Sequence, residues 1–413
     1  MINIVTDNKD TYIHGYKFRI YPNEEQTKLI DKFINLRRFV YNWGVAREQE
    51  QYQMKKDGKV ERGFLSFIDL CKEYKEFRDK PENEWLKEFP NTTARLALRD
   101  VVHAYEMFFN KQNKYPKFKS KKCSPKMFKT RSDRFYIDGD KIRFEGLPHD
   151  RTSDISEMID LDFNTPFKRT DNIKYIAPII SKDNLGNYWI GFSIKDPIAP
   201  LDIPKTEPIG VDVGIRNTLT LSTGEIFNRP NDKLKHIESR RKRVQKHVSK
   251  DINRRLEESK RTKTKYDDIQ PSVRAELRSQ KLKKLYKKEA NIKNNFYHET
   301  AKNIVERNPE MVVLEDLDIL KMQKDAKNFH KKYLRTALSN AGLNKMQTII
   351  EQKCIKYGIP VVYANINYPS SQICSNCGHI QNIGNKPIYN CPNCGLKMDR
   401  DINAAKNLVS LIK

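Results

Sequence analysis

Two closely spaced pairs of cysteines near the end of the sequence could bind a metal ion. Each pair reads Cys-x-x-Cys and thirteen residues separate the pairs, which are formed by Cys374, Cys377, Cys391 and Cys394. One tight turn can present two thiolates, so two turns can surround a tetrahedral Zn²⁺ with sulfur ligands about 2.3 Å away. Two disulfides or a redox-active pair are the alternatives at this spacing. Because four thiolates leave no open coordination position, a zinc ion bound here would be structural.

Three acidic residues form a second candidate set of metal ligands. Asp212 interrupts an apolar segment, Glu315 ends the segment MVVLE, and Asp401 opens the last helical segment. Carboxylate oxygens suit a hard cation such as Mg²⁺. Taken singly, each residue also has an ordinary interpretation, since Asp401 and its neighbour Asp399 could simply cap a helix and Glu315 could be a solvated charge. The metal-binding interpretation requires a fold that brings these segments to one point.

The segments that carry the carboxylates follow a recognisable order of strands and helices. Three short strands joined by turns (209–228) precede a long charged helical stretch (231–307, broken near Pro271), a strand (311–317), a helix (336–357), a strand (360–365) and a last helix. This is the element order of an RNase H-like domain, and the cysteine segment falls between its last strand and last helix. In such a fold the first strand, the fourth strand and the last helix converge. The carboxylates could then hold two divalent cations about 4 Å apart.

The first half of the chain predicts a helical region and a separate β region. Residues 23 to 112 show helical periodicity, with Asn23 as an N-cap before the first turn. Strand patterns occupy residues 16–22, 135–145 and 172–195, an acidic stretch at 152–163 reads as a loop between them, and a proline-rich linker covers 196–208. The sequence therefore predicts a multidomain α+β protein.

Charge and composition point to a polyanionic partner. The 413 residues include 78 Lys and Arg against 53 Asp and Glu, which gives a net charge of +25, and nucleic acid is the simplest partner for such a protein. No run of 18 apolar residues exists, which predicts no membrane span. Seven cysteines without a secretion signal predict a reducing compartment such as the cytoplasm, with Cys71, Cys123 and Cys354 as small apolar filler.

Two basic segments are the candidate contacts for phosphates. The segment 236–265 contains four consecutive cations, which cannot share one helix face, although part of it is an ordinary solvated helix. The segment 114–135 mixes cations with Tyr115, Phe118 and Phe128, which could stack on bases or simply anchor a loop. The candidate nucleic-acid contacts are Lys117, Lys119, Lys121, Arg240, Arg241, Lys242 and Arg243.

Several motifs resemble the TnpB family of transposon-encoded RNA-guided nucleases and their relatives, the miniature type V CRISPR effectors. The matching pieces are GVDVGI, VVLEDL, YPSSQICSNCG, YNCPNCG and DRDINAAKNL, with weaker matches in YKFRIYPNEEQTKLI and YPKFKSKK. The resemblance implies a helical recognition lobe (22–112), a wedge β-barrel (1–21 and 113–204), and a RuvC nuclease domain (205–370 and 397–413) with an inserted zinc ribbon (371–396).

The resemblance also implies an activity and its requirements. It implies cleavage of double-stranded DNA paired to a guide RNA beside a short flanking motif, with Asp212, Glu315 and Asp401 as the catalytic triad, two Mg²⁺ and one structural Zn²⁺. Asp401 is preferred over Asp399 because it directly precedes INAA. The acidic stretch 152–163 and the charged segment 321–336 do not match the family pattern. The residues leave the oligomeric state open, and we expect a monomer.

An alternative without nuclease activity remains open at this point. Some relatives have lost the triad and act as RNA-guided repressors, so a nuclease-inactive RNA-guided DNA-binding protein or a transposition accessory factor is the alternative. A transposase is a further idea that the fold alone does not exclude, since RNase H-like folds also host transposases, but the specific match to the TnpB motifs excludes it. The presence of all three acids favours the nuclease, because a coupled set of site residues is more informative than one residue.

Overall fold

The computed structural model describes most of the chain, in two compact units. The described residues are 3–4, 10–122, 124–138, 141–144, 159–161, 175–318, 321–322, 324, 332–384 and 386–412. One unit comprises residues 13–196, and the other comprises residues 1–12 with 197–413. Cys123 and half of segment 321–336 lie outside the described residues. Among the helices that are described, none is both long and apolar enough to cross a membrane.

The chain starts with two strands and a helical region. Strand β1 (Asn3–Ile4) pairs within the second unit, and β2 (Thr11–Tyr21) leads into helices α1 (Glu24–Lys56), α2 (Phe67–Asp79) and α3 (Asn91–Phe109), with a 3₁₀ helix at Pro81–Glu88. The predicted N-cap is confirmed. Asn23 accepts a hydrogen bond from the Gln26 amide, and the Gln26 side chain accepts one from the Asn23 amide. Buried residues such as Leu70 and Leu98 form the core between these helices.

A seven-stranded sheet forms the rest of the first unit. Its strands are β3 (Lys126–Lys129), β4 (Phe135–Asp138), β5 (Lys141–Phe144), β6 (Ile159–Leu161), β7 (Ile176–Lys182), β8 (Tyr188–Pro197) and β2, in the order β3-β7-β8-β2-β6-β5-β4. The predicted barrel is not confirmed, because the strand order of the described residues does not close on itself. Within the acidic stretch 152–163, which was predicted as a loop, residues 159–161 instead form strand β6. The remaining residues of that stretch lie outside the described ranges.

The predicted strand pattern near residues 172–195 is confirmed, and it explains how the sheet buries one face. Along β8, Tyr188, Ile190, Phe192 and Ile194 are buried at every second position. Since successive side chains of a strand point to opposite faces, this alternation places four large apolar groups in one core. Phe128 of β3 is fully buried in the same cluster.

The second unit contains a mixed six-stranded sheet. It is formed by β1 with β9 (Ile209–Asp212), β10 (Leu219–Leu221), β11 (Ile226–Phe227), β12 (Val312–Glu315) and β13 (Val361–Ala364), in the order β1-β13-β12-β9-β10-β11. Strands β9, β12 and β13 are parallel, whereas β10, β11 and β1 join antiparallel to their neighbours. The five strands predicted in this half are present, and β1 was not predicted because its two residues carry no pattern.

Helices cover both faces of this sheet. Helix α4 (Asn231–Thr262) packs against α5 (Val273–Val305), and the sheet itself is covered by α5, α6 (Lys332–Ala341), α7 (Leu343–Lys356) and α8 (Arg400–Ser410). The predicted break near Pro271 is confirmed by the gap between α4 and α5. The predicted helix 336–357 is two helices, because Gly342 adopts φ 63° beside the Tyr297 hydroxyl. A side chain at Gly342 would meet that hydroxyl, so only glycine allows this tight junction.

The cysteine segment forms a small module between β13 and α8, as predicted. Its hairpin consists of β14 (Ile388–Asn390) and β15 (Lys397–Asp399), paired antiparallel. Tyr389 is fully buried in this module, against Ile383 and the cysteines. Strand β15 ends at Asp399, and helix α8 begins at the next residue.

Candidate active site and cysteine cluster

Two of the predicted carboxylates lie side by side at the ends of parallel strands. In the pairing of β9 with β12, Val312 lies opposite Ile209 and Leu314 lies opposite Val211. The next step of this register places Asp212 beside Glu315, on strands about 4.8 Å apart. Both residues are the last of their strands, so their side chains gather at the carboxyl edge of the parallel sheet.

The alternation of the strands directs both carboxylates to the face covered by α8. Val211 and Leu314 belong to the core on one face, whereas Val313 packs with Leu408 of α8 on the other. Glu315 lies two residues after Val313, and Asp212 lies two residues after Gly210, which pairs with Val313. Residues two apart on a strand share a face, so both carboxylates lie on the same face as Val313. The sequence places no apolar residue at these two positions, so the edge of the sheet presents oxygen atoms toward the last helix.

Gly210 allows α8 to lie directly on this face. A Cβ atom at Gly210 would stand 2.0 Å from the carbonyl oxygen of Ala405, which no real side chain could tolerate. The small buried residues Ala404 and Ala405 complete the close approach on the helix side. Because helix and strand are in backbone contact, the first turn of α8 is held near the strand ends.

Asp401 lies in that first turn, and its neighbour Asp399 is the N-cap. One oxygen of Asp399 accepts hydrogen bonds from the amides of Asp401 (2.8 Å) and Ile402 (3.4 Å). Asp401 Oδ2 instead accepts from Asn217 Nδ2 (2.9 Å) and from Arg216 Nη2 (3.2 Å). Arg216 also bonds Asp399, at 3.1 Å. The capping interpretation therefore applies to Asp399, whereas Asp401 faces the turn that follows β9.

The carboxylates of this edge repel one another. Burial, followed by the negative charges of Glu315 and Asp401, raises the pKa of Asp212 well above its ordinary value, and Arg400 opposes this shift. Burial also raises the pKa of Glu315, against a hydrogen bond from Ser370. Crowded, partly desolvated carboxylates are the donor set that divalent cations neutralise. The three residues thus fit hard cations by their chemistry and by their mutual repulsion.

Residues around Glu315 fix its position. Ser370 Oγ donates a hydrogen bond to Glu315 Oε1 (3.3 Å), and Gln347 Nε2 donates to the Glu315 carbonyl oxygen (2.7 Å). Both partners are buried, at 4% and 5% exposure, so these polar contacts have little competition from water. The side chain of Glu315 therefore enters the site from a fixed backbone.

Two buried asparagines of α8 attach the helix to the segment that leads into the cysteine module. Asn403 donates to the carbonyl oxygen of Ile373 (2.6 Å) and accepts from the amide of Ser375 (2.9 Å). One turn later, Asn407 donates to the carbonyl oxygens of Ser370 and Ile373, both at 2.7 Å. Unpaired buried groups are costly, so these contacts tie the module and the helix into one body.

The four predicted cysteines meet in one cluster. Their sulfur atoms all lie within 4.8 Å of one another. The separations Cys374–Cys394 and Cys377–Cys391 are both 3.6 Å, much longer than a disulfide bond of about 2.05 Å. Tetrahedral ligands about 2.3 Å from one ion would stand roughly 3.8 Å apart, close to these separations. The structure therefore contradicts the disulfide alternative and fits a single tetrahedral metal ion.

Each cysteine pair sits in a turn closed by a glycine. The amide of Gly378 donates to the Cys374 carbonyl (2.9 Å), and the amide of Gly395 donates to the Cys391 carbonyl (3.0 Å). Both glycines have positive φ, 74° and 72°, as the turn requires. Hydrogen bonds from Asn376 and from the backbone of Leu396 lower the pKa of Cys394 to about 6, which favours its thiolate.

The candidate phosphate contacts differ in how much they are exposed. Lys117 and Lys121 are exposed, whereas Lys119 is partly buried with its ammonium 3.3 Å from the centre of the Tyr41 ring. In the second basic segment, Arg240, Lys242 and Arg243 are exposed on α4. Arg241 is different from these.

Arg241 packs inward between α4 and α5. Its guanidinium lies 3.1 Å from Glu289 and stacks over the ring of Tyr286. Lys242 pairs with Glu238 of its own helix at 2.8 Å. Arg241 thus has a structural role within the helix pair, and the outward charge of this segment comes from its neighbours. In the first basic segment, 114–135, Phe128 is buried in the core, which agrees with the alternative that the aromatic residues anchor a loop. Phe118 of the same segment is 56% exposed.

Several residues of the site were not singled out from the sequence. Gly210, Arg216 and Asn217 belong to the same short segment as Asp212, and Asn403 and Asn407 belong to the segment DRDINAAKNL. The spacing of four between the two asparagines places them on one helix face, which could have indicated a shared partner. Arg216 and Gly210 carry no signal without knowledge of what packs above the strand.

Comparison with known proteins matches three parts of the chain to described families. A "Helix-turn-helix domain" matches residues 13–57, a "Probable transposase" family matches residues 196–326, and a "Cas12f1-like, TNB domain" matches residues 344–408. The last match contains Asp401 and the four cysteines.

Full-length relatives extend this result. A protein of Streptomyces pristinaespiralis named "Putative RNA-guided DNA endonuclease" is 26% identical over 401 residues, spanning 96% of this chain and 88% of that protein. "TnpB-like protein L770" of Acanthamoeba polyphaga mimivirus is 22% identical over 419 residues, spanning 98% of this chain and 74% of that protein. The chain is related to the TnpB family. The resemblance predicted from the TnpB motifs is thereby confirmed.

The fold of this TnpB relative also has a solved counterpart. The structure described as the Cas12f1–sgRNA–target DNA complex matches with a TM-score of 0.51 and 14% identity, covering 97% of this chain and 99% of that chain. Identity this low supports likeness of fold alone. The predicted multidomain α+β class is confirmed at that level.

Proposed function

We propose that this protein is an RNA-guided DNA endonuclease whose catalytic residues are Asp212, Glu315 and Asp401. The observation that carries the proposal is the placement of Asp212 beside Glu315 at the ends of parallel strands, below the helix that carries Asp401. The name of the Streptomyces relative supports the same activity. A site used only for binding nucleic acid would not need three mutually repelling carboxylates on a surface that attracts phosphate.

The domain around this site is proposed to be an RNase H-like domain of the RuvC type. The strand order β11-β10-β9-β12-β13 supports this. Strands β9, β10 and β11 are antiparallel neighbours, and β12 and β13 run parallel to β9. The extra strand β1 extends the sheet beyond that order. In the same proposal, residues 22–112 are the recognition lobe, and residues 13–21 with 113–196 form the wedge domain. The expected wedge bounds of 1–21 and 113–204 are narrowed because β1 pairs with β13 and residues 1–12 and 197–204 belong to the second unit.

The carboxylates would hold two Mg²⁺ ions. When bound, such ions activate water and stabilise the leaving oxygen of a phosphodiester. Asp212 and Glu315 supply oxygens from the sheet edge, and Asp401 supplies them from the helix. Their repulsion keeps the site poised to bind cations, and Arg400 and Arg216 limit that repulsion while no ion is bound.

The surrounding residues hold these oxygens in place. Ser370 and Gln347 position Glu315, and Asn217 orients Asp401 through the oxygen Oδ2. Gly210 sets the distance between the strand and the helix. Catalysis by bound cations depends on such placement, since a misplacement of about 1 Å can cost roughly 10²-fold in rate.

The cysteine cluster would hold one structural Zn²⁺. Four sulfur ligands without an open position leave no place for substrate. The ion would fix the hairpin β14–β15, whose last residue Asp399 caps α8. The zinc ligands would therefore precede Asp401 closely in the sequence because the module supports the start of the helix that carries this residue.

The partners follow from charge and from the family relationship. A net charge of +25 suits a guide RNA and a double-stranded DNA target together, and base pairing to the guide would read the sequence. Exposed cations such as Lys117, Lys121, Arg240 and Arg243 would contact the sugar-phosphate backbones.

The proposal is tested by purifying the protein from cells that carry its native flanking DNA and sequencing the RNA that accompanies it. One dominant RNA with a variable guide segment at one end is expected, and it supplies the reagent for a cleavage assay. Absence of a specific RNA would refute the guided activity. A specific RNA and tight target binding, with no cut product in Mg²⁺, would instead identify the nuclease-inactive alternative.

A further inference from the structure

A small cavity in the first unit is lined by twelve residues, six of which are cations. It has a volume of about 200 Å³ and lies between α1, the segment before β3, and the strands β3 and β7. The cations at its wall are Arg37, Arg38, Lys119, Lys121, Lys126 and Lys182. One carboxylate, Asp31, also lines it, so the wall carries a large excess of positive charge.

The nearby carboxylates are already engaged and do not balance this charge. Asp31 accepts hydrogen bonds from Lys182 Nζ (2.7 Å) and from the Tyr188 hydroxyl (3.0 Å). Asp100 pairs with Arg37 and with Lys129. Within the described part of the chain, Arg38, Lys121 and Lys126 form no ion pair with a carboxylate. Three cations at the wall are therefore left to bind a ligand.

The cavity is built into the fold and is not a chance cluster of surface lysines. Asn42 fixes the backbone of Lys119 with two hydrogen bonds, donating to its carbonyl (2.9 Å) and accepting from its amide (2.7 Å). The Nε atoms of Arg37 and Arg38 are buried without a hydrogen-bond partner among the described residues. Burial, and then the charge of Arg37, lowers the pKa of Lys119 to about 8. The unpartnered arginine nitrogens and the crowded charge of Lys119 are costs that a bound anion would relieve.

The volume limits what the ligand can be. Pockets for drug-sized molecules measure about 300–1,000 Å³, so this cavity suits a single small anion better than a whole nucleotide. A guanidinium with several ammonium groups is the combination that binds phosphate oxygens.

We propose that this cavity is a binding site for one backbone phosphate of a nucleic acid, with Arg38, Lys121 and Lys126 as its contacts. The inference rests on the proposed function only in its choice of nucleic acid as the source of the phosphate. Guide RNA and target DNA share this chemistry, and the experiment separates them.

The test compares two charge-matched double variants. Lys121→Gln with Lys126→Gln removes two cations of the cavity, and both residues are exposed, so the fold should tolerate the change. Lys75→Gln with Lys87→Gln removes two exposed cations elsewhere in the same unit and serves as the control. Equal thermal unfolding temperatures would establish that both variants fold.

Binding of fluorescein-labelled, mixed-sequence single-stranded RNA and duplex DNA is measured by anisotropy over a range of salt concentrations. One lost phosphate contact should reduce the slope of log K against log salt by about 1. We expect this reduction in the cavity variant but not in the control, on the RNA probe if the guide occupies the site and on the DNA probe if the target does.

Unchanged slopes on both probes would overturn the inference. A variant that loses only the ability to bind inorganic phosphate, measured by ³¹P line broadening, would also overturn it, because the site would then serve a free anion. Neither readout requires cleavage, so a protein that binds in this way but cuts nothing would refute the proposed nuclease and leave this site intact.

Discussion

Asp212 and Glu315 occupy neighbouring positions at the carboxyl ends of two parallel strands, with their side chains on the same face of the sheet. Two partly buried acids at this spacing destabilise each other when both are ionised. Arg400 opposes this repulsion only in part, because the pKa values of both acids remain raised. The arrangement therefore favours either protonation or bound cations, and this choice can be measured.

The stability of the metal-free protein should depend on the charge of Asp212. The pKa of Asp212 and that of Glu315 are raised by folding, mainly through burial. The contribution of such groups to the free energy of unfolding is fully present below the ordinary pKa of the unfolded acids. It is lost as the pH rises through the raised pKa values of the folded protein. We expect the unfolding temperature in EDTA to fall over this window, and Asp212→Asn to reduce the fall.

At neutral pH, Asp212→Asn should therefore unfold at a higher temperature than the wild type in EDTA, by about 2–4 °C for each kcal/mol gained. Added Mg²⁺ should stabilise the wild type more than the variant. Asp202→Asn changes an exposed acid and is the control. Parallel stability curves for Asp212→Asn and the wild type would contradict the inferred repulsion.

Gly210→Ala should disturb the site from below. The added methyl group would collide with the carbonyl oxygen of Ala405, so α8 must move away from β9. We expect a loss of about 1–3 kcal/mol in the free energy of unfolding and a fall of roughly 10²-fold in single-turnover cleavage. Gly15→Ala is the control, since its added Cβ would meet only Ser193 at 3.9 Å. Full activity of Gly210→Ala would show that the helix position is not critical.

Arg216→Ala should make divalent ions easier to bind. Arg216 shares Asp401 Oδ2 with Asn217, so it competes with a cation for that carboxylate. Because the arginine is 45% exposed, the expected gain is only about threefold to fivefold in Mn²⁺ affinity. Electron paramagnetic resonance of free Mn²⁺ measures this affinity directly, and Arg216→Lys should fall between the two. A weaker affinity in Arg216→Ala would mean that the arginine supports the metal site instead.

Cys394→Ser should release the structural metal and weaken the catalytic helix. Loss of one thiolate from a four-sulfur site removes most of its affinity for zinc. We expect bound zinc to fall from about one per chain to a small fraction, with a matching loss of cleavage. Elemental analysis and cleavage of the same preparations measure both. The control Cys71→Ser changes a cysteine of the other unit and should keep its zinc. Undiminished cleavage by zinc-free Cys394→Ser would show that the active site does not depend on the zinc module.

The sequence predicted the parts of this protein that have local signals. The cysteine spacing indicated a metal cluster, the apolar segments around Asp212 and Glu315 indicated strands, and Asn23 indicated a helix start, and all of these elements are present. Each depends on residues that are close together in the chain. The structure was needed to decide that Asp399 caps the helix and that Asp401 instead faces Arg216 and Asn217.

Features that depend on distant residues could not be predicted. Gly210 is informative only because Ala405 lies above it, and Arg216 only because α8 returns to the turn after β9. The inward packing of Arg241 was also missed, since four consecutive cations look equivalent until Glu289 and Tyr286 are placed. Strand β6 forms inside an acidic stretch because it pairs with β2 on one side and with β5 on the other.

The central claim is tested most directly by cleavage of a plasmid that carries a guide-matched target beside a randomised flanking sequence. The protein and its co-purified RNA should cut this plasmid in Mg²⁺ and not in EDTA. Glu315→Gln should bind the target as tightly but lose more than about 10³-fold in cutting rate. Cleavage by Glu315→Gln at the wild-type rate, or wild-type cleavage that persists in EDTA, would contradict a metal-dependent site built on Asp212, Glu315 and Asp401.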